Sequence, residues 1–215
     1  MIIALRGGHC AKSTGAIGLM REYETMQQYY KYVAQLLMEN GHTVINCNTN
    51  GSSKQEDLEQ GSVKSNKQYV DLFISLHMNA SKEHTGRGVE CWVYNENSRA
   101  IPYAKKICDN FAKLGFRNRG VKYNSSFYEM RRVVAPNIIF ETCFCDNKED
   151  VMLWNSLGME RLARALCNAI DSRIHLEVEV KKQYQVSINF NNKANAEEIF
   201  NKYKNLGYNC NMSEV

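Results

Sequence analysis

The sequence predicts an α/β domain, with a mostly parallel, twisted sheet and helices on both faces, followed by a small C-terminal βαβ module. The first observation is an alternation of short apolar runs with longer segments whose apolar residues recur every three or four positions. The second is the length of those segments, since a crossover between parallel strands needs about a dozen residues or more. The third is the total of 215 residues, which fits one domain of ordinary size with a small addition.

Strands are predicted where apolar residues cluster, or alternate with polar ones as over 88–94, between polar or glycine-containing segments. These runs cover 2–6, 42–46, 69–76, 88–94 and 136–141. Three of them lead to a side chain that can do chemistry: the first to His9 after a glycine pair, the third to His77 and the last to Glu141. An open α/β sheet carries its functional site at the carboxyl ends of its strands. These three residues are therefore the first candidates for a site.

Helices are predicted where apolar residues recur with a period near 3.6. The clearest one covers residues 21–40, with a stripe that includes Met26 and Val33, and Gly41 suits the position after its end. The other helical segments are 55–67, 98–114 and 157–172. Residues 115–135 are irregular and rich in polar and aromatic side chains, which predicts a long loop. Long loops inside compact domains are often functional.

The composition argues against several classes of protein. The chain is 44% hydrophobic and 23% charged, as is normal for a soluble globular protein. No stretch approaches the about 18 consecutive apolar residues of a membrane span, and no basic segment followed by a long apolar one marks a signal peptide. We therefore expect synthesis in the cytoplasm and no membrane insertion. The net charge of +4 is too small to argue for nucleic acid, although it would help approach to an anionic polymer such as a cell wall.

The eight cysteines show no CxxC pair and no regular spacing. Several lie in apolar runs, where a free cysteine behaves as a small hydrophobe, and reduced thiols agree with cytoplasmic synthesis. Cys143 and Cys145 have CxC spacing, for which packing in a strand is favoured over a metal role.

A change of composition after Arg173 predicts a boundary in the chain. Residues 1–173 form the predicted main domain, and the charged, alternating residues 174–182 form a linker. Residues 183–215 follow as a βαβ unit, with strands over 184–190 and 208–212 around a helix over 194–206. A unit of that size is small for a free-standing domain.

Two glutamates lie in the first turns of the first helix, and the helical period separates them. Glu22 precedes Met26 by four residues and Val33 by eleven, so it lies on the stripe that faces the sheet, whereas Glu24 lies on the polar face. An inward carboxylate is costly unless something pairs with it, and a metal ion would be such a partner. A solvated acid favoured by the helix dipole is the alternative, and periodicity alone leaves both open for Glu22.

Two imidazoles and one carboxylate form a zinc set of three protein ligands, with the fourth position left for water. His9, Glu22 and His77 supply such a set. Zinc would lower the pKa of that water and polarise a carbonyl oxygen. Glu141 is suited to accept the proton of the water and to pass it to a leaving amine. The expected chemistry is hydrolysis of an amide bond.

Four motifs in a fixed order carry a resemblance to a known family. They are Gly8-His9, Glu22 at the start of a helix, the run Ser75-Leu76-His77-Met78-Asn79-Ala80, and the segment from Pro136 through Glu141 to Asn147. Over residues 1–173 the chain resembles the zinc-dependent N-acetylmuramoyl-L-alanine amidases of the amidase-3 family. It departs from the pattern at Met26, where many members have asparagine, and at Cys143, where glycine is usual.

The resemblance implies an activity, one zinc ion in the catalytic domain, and roles for particular residues. The activity is hydrolysis of the bond between N-acetylmuramic acid and L-alanine in peptidoglycan. The implied zinc ligands are His9, Glu22 and His77, the catalytic glutamate is Glu141, and Asn79 and Arg131 are assigned to substrate binding.

The arrangement also resembles phage endolysins of clostridial type, in which an N-terminal amidase without a signal peptide precedes a small wall-targeting module. Residues 183–215 resemble part of a SPOR-type peptidoglycan-binding repeat. Such a protein is made in the cytoplasm and acts on the cell wall after release. The oligomeric state is left open.

Three alternatives are considered. They are a zinc peptidase that cuts another wall amide, a non-catalytic wall-binding protein, and a nucleic-acid-binding protein. Glu141 argues against the second, because binding needs no proton shuttle. The third would require a steep salt dependence of DNA affinity, which we do not expect.

Overall fold

The computed structural model describes residues 1–177 and 191–205, and the chain divides into two compact units, Met1–Glu179 and Val180–Val215. The strands of the first unit are β1 (Ile2–Gly7), β2 (Thr43–Asn46), β3 (Leu72–Asn79), β4 (Val89–Val93), β5 (Asn118–Tyr123) and β6 (Asn137–Phe144). Its helices are α1 (Glu22–Glu39), α2 (Lys54–Asn66), α3 (Ile101–Lys113), α4 (Tyr128–Arg132) and α5 (Lys148–Ile170). The described part of the second unit contains α6 (Lys193–Asn205).

The six strands form one sheet in the order β2-β1-β3-β6-β4-β5. Neighbouring strands are parallel except β4 and β6, which are antiparallel. The carboxyl ends of β1, β3 and β6 therefore meet at the same edge of the sheet, and β3 continues through His77 to Asn79. This topology confirms the predicted fold class.

Three helices, α1, α3 and α5, cover one face of the sheet with the main apolar core. Tyr29 of α1 meets Trp154 of α5 edge to face, with ring centroids 5.1 Å apart, and its hydroxyl donates to the Leu162 carbonyl at 2.9 Å. Burying an aliphatic or aromatic side chain of this core contributes about 1.5–3 kcal/mol. This packing sets the position of α1 and so of its first residue, Glu22.

The opposite face carries α2 and α4 and is partly polar. Arg6 of β1 is fully buried there and pairs with Asp57 of α2 at 2.5 Å and with Glu129 of α4 at 3.3 Å. A charge is buried in proteins only when it is paired, so these ion pairs join both helices to the central strands.

The expectation of a long loop over 115–135 is wrong, because this segment contains β5 and α4. β5 lies at the edge of the sheet, and its residues are exposed or only half buried. An edge strand of this kind keeps polar side chains, and Gly120 interrupts it, so no strand period is visible. α4 has five residues, which is too short to show a helical period.

The second unit is described by α6, which covers most of the helix predicted over 194–206. The predicted strands over 184–190 and 208–212 lie outside the described residues, and the predicted boundaries at 173 and 182 stay predictions. In the part that the structure describes, seven cysteines are free and buried. No helix of that part is long and apolar enough to cross a membrane.

Candidate metal centre

Three side chains from separate parts of the chain meet at the carboxyl edge of the sheet. His9 follows β1, Glu22 opens α1 and His77 lies near the end of β3. Glu22 Oε1 is 3.0 Å from His9 Nε2 and 2.9 Å from His77 Nδ1. Their ligand atoms lie within 4.8 Å of one another, and within residues 1–177 and 191–205 no other group of three or more His, Cys, Asp or Glu residues has this arrangement.

The backbone around this cluster is shaped to bring the rings together. Gly8 continues the β1–β3 ladder by donating to the Leu76 carbonyl at 2.7 Å, and a Cβ on Gly8 would collide with the His77 ring. His9 then takes a φ of +70°, a conformation that non-glycine residues adopt rarely and mostly at functional sites. A Cβ on Gly15 would collide with Glu22 and His9. Both glycines therefore leave room for the cluster.

Glu22 is fixed on both oxygens. Its Oε1 accepts from the Met78 amide at 3.0 Å, and its Oε2 accepts from the Ala16 amide at 2.7 Å. Burial alone would raise its pKa, but the hydrogen bonds with His77 and His9 hold the pKa of Glu22 well below its usual range. Glu24, by contrast, is exposed and pairs with Arg21 at 2.8 Å. The structure therefore turns Glu22 inward and Glu24 outward.

A series of hydrogen-bonded polar groups orients the His77 ring through its second ring nitrogen, Nε2. His77 Nε2 lies 3.0 Å from Ser75 Oγ, which donates to Glu129 Oε1 at 3.2 Å. Glu129 in turn pairs with Arg6. Hydrogen bonding of one ring nitrogen determines which tautomer is present and leaves Nδ1 for a ligand. No local pattern of the sequence pairs Ser75 with Glu129, because 54 residues separate them.

The electrostatics of the cluster favour a positive charge between these groups. Burial alone would lower the pKa of His77, but the Glu22 carboxylate raises it to about 9. The cluster therefore stabilises a cation, which in this state is the protonated imidazole. A metal ion would replace that proton, since an imidazole ligand must be neutral.

Glu141 stands beside His77, because the two residues are paired across β3 and β6. Burial raises the pKa of Glu141 to about 7. Its Oε2 is buried and has no hydrogen-bond partner among the described residues. A buried oxygen without a partner costs about 1–3 kcal/mol, so its presence calls for an explanation. Its pairing with His77 places the Glu141 side chain on the same face of the sheet as that histidine.

The two residues assigned to substrate binding lie in different places. Asn79 is two residues beyond His77, and its Nδ2 donates to Glu90 Oε1 at 3.1 Å. Arg131 is exposed on α4 and lines an open groove of about 450 Å³ together with Asn137 at the start of β6. That point is about 13 Å along the strand from Glu141. The structure brings Asn79 near the candidate site and does not bring Arg131 into the cluster. Both roles stay predictions.

The comparison with protein families decides the class of protein. The family model described as N-acetylmuramoyl-L-alanine amidase (Amidase_3) matches residues 3–172. The chain belongs to this amidase family. The match confirms the resemblance that the four motifs predict.

Relatives of the amidase chain agree with that family. An uncharacterized protein of Clostridium perfringens is 35% identical over 188 residues, which are 86% of this chain and 56% of that protein. The N-acetylmuramoyl-L-alanine amidase CwlM of Bacillus licheniformis is 27% identical over 209 residues, which are 94% of this chain and 81% of that protein. The chain thus spans little more than half the length of the first of these relatives.

Among solved structures, the catalytic domain of the CD27L endolysin targeting Clostridia difficile has a TM-score of 0.74 to the amidase chain. It is 29% identical, and the match covers 79% of this chain and 96% of that domain. The shared fold therefore extends over nearly all of that catalytic domain.

One buried acid of this domain belongs to none of the four motifs. Glu90 lies on β4, faces Glu141 across the antiparallel pair, and is 1% exposed. Burial would raise its pKa, but Arg119 and Lys122 hold the pKa of Glu90 below its usual range. Its position inside an apolar run of 88–94 is the signal that could have found it, since an acid there must be paired.

Proposed function

We propose that this chain hydrolyses the amide bond between N-acetylmuramic acid and L-alanine in peptidoglycan, with one zinc ion held by His9, Glu22 and His77. The observation that carries the proposal is the placement of Glu141, with its unpartnered Oε2, beside this three-residue cluster. The membership of the family supports the substrate class.

The donor set fits zinc. Two imidazole nitrogens and one carboxylate oxygen are the ligands of hydrolytic zinc sites that keep one position open. The pairing of Glu22 with both histidines, and the room left by Gly8 and Gly15, agree with a cation at this point. When bound there, zinc would supply Lewis-acid chemistry that polarises an amide carbonyl and makes water easier to deprotonate.

Different residues of the chain would then transfer the proton and hold the metal ligands in place during hydrolysis. Glu141 accepts a proton from water as the new carbon–oxygen bond forms, and it delivers that proton to the leaving amine as the carbon–nitrogen bond breaks. Its raised pKa suits both steps, because the same carboxyl must take and give a proton near neutral pH. Ser75 and Glu129 hold the His77 ring, and two backbone amides hold Glu22.

The biological role that we propose is that of a phage endolysin, made in the cytoplasm and acting on the cell wall after release. The likeness to the catalytic domain of an endolysin supports this role. We propose further that the second unit, Val180–Val215, helps the enzyme to bind the wall. Peptidoglycan is then the partner of both units.

The test is a paired measurement of metal content and bond specificity. We expect one zinc per chain by elemental analysis, and digestion of peptidoglycan should release stem peptides with a free L-alanine amino group, as seen by mass spectrometry. A chelator should stop the release, and added zinc should restore it. Zinc with a cut inside the peptide would indicate a wall peptidase. No zinc and no cleavage would indicate a wall-binding protein instead.

Shortening the chain to residues 1–179 should leave a folded catalytic domain, because the core and the candidate site lie within the first unit. We expect cooperative thermal unfolding, full zinc content, and unchanged hydrolysis of a small soluble muramoyl-peptide. Cleavage of whole cell walls should fall, because the proposed wall-binding unit is gone. An insoluble product, or undiminished activity on whole walls, would contradict the proposed division.

A further inference from the structure

A second cluster of charged groups lies beside the candidate metal centre, around the buried carboxylate of Glu90. Its Oε2 accepts from Arg119 Nε at 2.5 Å and from Lys122 Nζ at 2.6 Å. Its Oε1 accepts from Asn79 Nδ2 and from Trp92 Nε1, both at 3.1 Å. Two cations thus share one carboxylate, so Glu90 alone does not neutralise both of them.

The two cations are held in place but not covered. The Arg119 side chain is 28% exposed and the Lys122 side chain is 32% exposed, whereas that of Glu90 is 2% exposed. The Arg119 guanidinium lies 5.0 Å from the centre of the Phe144 ring, and the Lys122 ammonium lies 5.2 Å from that of Trp92. Side chains already fixed by such contacts lose little conformational freedom when an anion binds. Arg119 donates to Glu90 through its Nε, and no hydrogen bond of its two terminal nitrogens is found within residues 1–177 and 191–205, so they can bind a second carboxylate.

The sheet places this cluster in line with the metal centre. His77 pairs with Glu141, and Glu141 pairs with Glu90, on three adjacent strands. Neighbouring strands are about 4.8 Å apart, so the backbone of Glu90 is about 10 Å from that of His77. Asn79 connects the two sites, since it follows His77 by two residues and binds Glu90. A substrate whose amide bond is cleaved beside His77 and Glu141 can therefore extend to Arg119 and Lys122.

The charges of the substrate indicate which part of peptidoglycan would reach Arg119 and Lys122. An N-acetylated glycan strand is neutral, whereas the stem peptide carries free carboxylates. An extended peptide advances about 3.3 Å per residue, so about 10 Å corresponds to the first three residues after the cut. We infer that Arg119 and Lys122, anchored by Glu90, bind the first free carboxylate on the peptide side of the scissile amide. This inference rests on the proposed amidase function and adds that the enzyme prefers acidic to amidated stem peptides.

The experiment compares two soluble substrates that differ in one group. In both substrates the γ-carboxyl of the second residue is amidated. Muramoyl-L-alanyl-D-glutamate γ-amide keeps a free α-carboxyl on that residue, and muramoyl-L-alanyl-D-isoglutamine γ-amide has the α-carboxyl amidated as well. We expect the zinc-loaded wild-type chain to cleave the first with a kcat/KM about tenfold or more above the second, mainly through KM. Arg119→Gln and Lys122→Gln should each reduce this preference several-fold, measured as the ratio of the two kcat/KM values.

Lys105→Gln is the matched control, because Lys105 is an exposed lysine on α3, which covers the other face of the sheet. It should keep the full preference. If Arg119→Gln or Lys122→Gln unfolds at a lower temperature than the wild type, the salt dependence of the wild-type enzyme tests the carboxylate subsite, because added salt should raise KM for the acidic substrate only. Equal cleavage of both substrates by the wild type would refute the carboxylate subsite and leave the amidase function intact. Cleavage of neither substrate would contradict the proposed function itself.

Discussion

Glu141→Gln is expected to reduce amide hydrolysis by about 10²–10⁴-fold while leaving the zinc content at one per chain. Glutamine has the same shape as glutamate but cannot accept the proton of water. The fold should tolerate the change, because burial raises the pKa of Glu141 to about 7, so the site accepts the uncharged side chain as well as the charged one. The measurement combines kcat/KM on a muramoyl-peptide with elemental analysis and a thermal unfolding curve.

The control for this variant is Glu96→Gln, which makes the same chemical change at an exposed position between β4 and α3. It should have wild-type activity. Activity of the Glu141 variant within a few-fold of wild type would remove its proposed role in proton transfer. Loss of zinc from the same variant would instead make Glu141 a ligand.

Glu22→Gln is expected to weaken zinc binding by more than about 100-fold, because even residues that only support a ligand typically contribute 10–100-fold. The change removes the one anion that both imidazoles share. A neutral amide also fits the site poorly, since Glu22 accepts from two backbone amides and two ring nitrogens. Zinc content after dialysis against a weak chelator measures the effect, and hydrolysis should fall with it.

Glu24→Gln is the matched control in the same turn of the same helix. Glu24 is exposed and pairs only with Arg21 among the described residues, and a surface pair of this kind contributes about 0–1 kcal/mol. Zinc content and activity should both remain at the wild-type level. An inactive Glu24 variant, or a Glu22 variant with full zinc, would show that the wrong glutamate has been assigned.

Local patterns in the sequence were sufficient to predict the central strands and the long helices. The segments 2–6 and 136–141 are continuous apolar runs because their strands are covered on both faces, and such runs are visible without any knowledge of neighbours. The orientation of Glu22 was also favoured by the sequence, since the helical period relates it to Met26 and Val33, which are fully buried. The segment 115–135 was missed because its strand lies at an edge and its helix is short.

The sequence by itself determined the fold class, the family and the candidate residues His9, Glu22, His77 and Glu141, because each lies in a short motif or on a local period. Only the tertiary structure decided what surrounds them. The antiparallel pairing of β4 with β6 places Glu90 next to Glu141. Glu90 in turn binds two cations of β5, Arg119 and Lys122, beside the candidate metal centre. Ser75 of β3 meets Glu129 of α4, which lies 54 residues further along the chain, only in the folded domain. The order in which strands pair depends on contacts far apart in the chain, and no local pattern of residues records it.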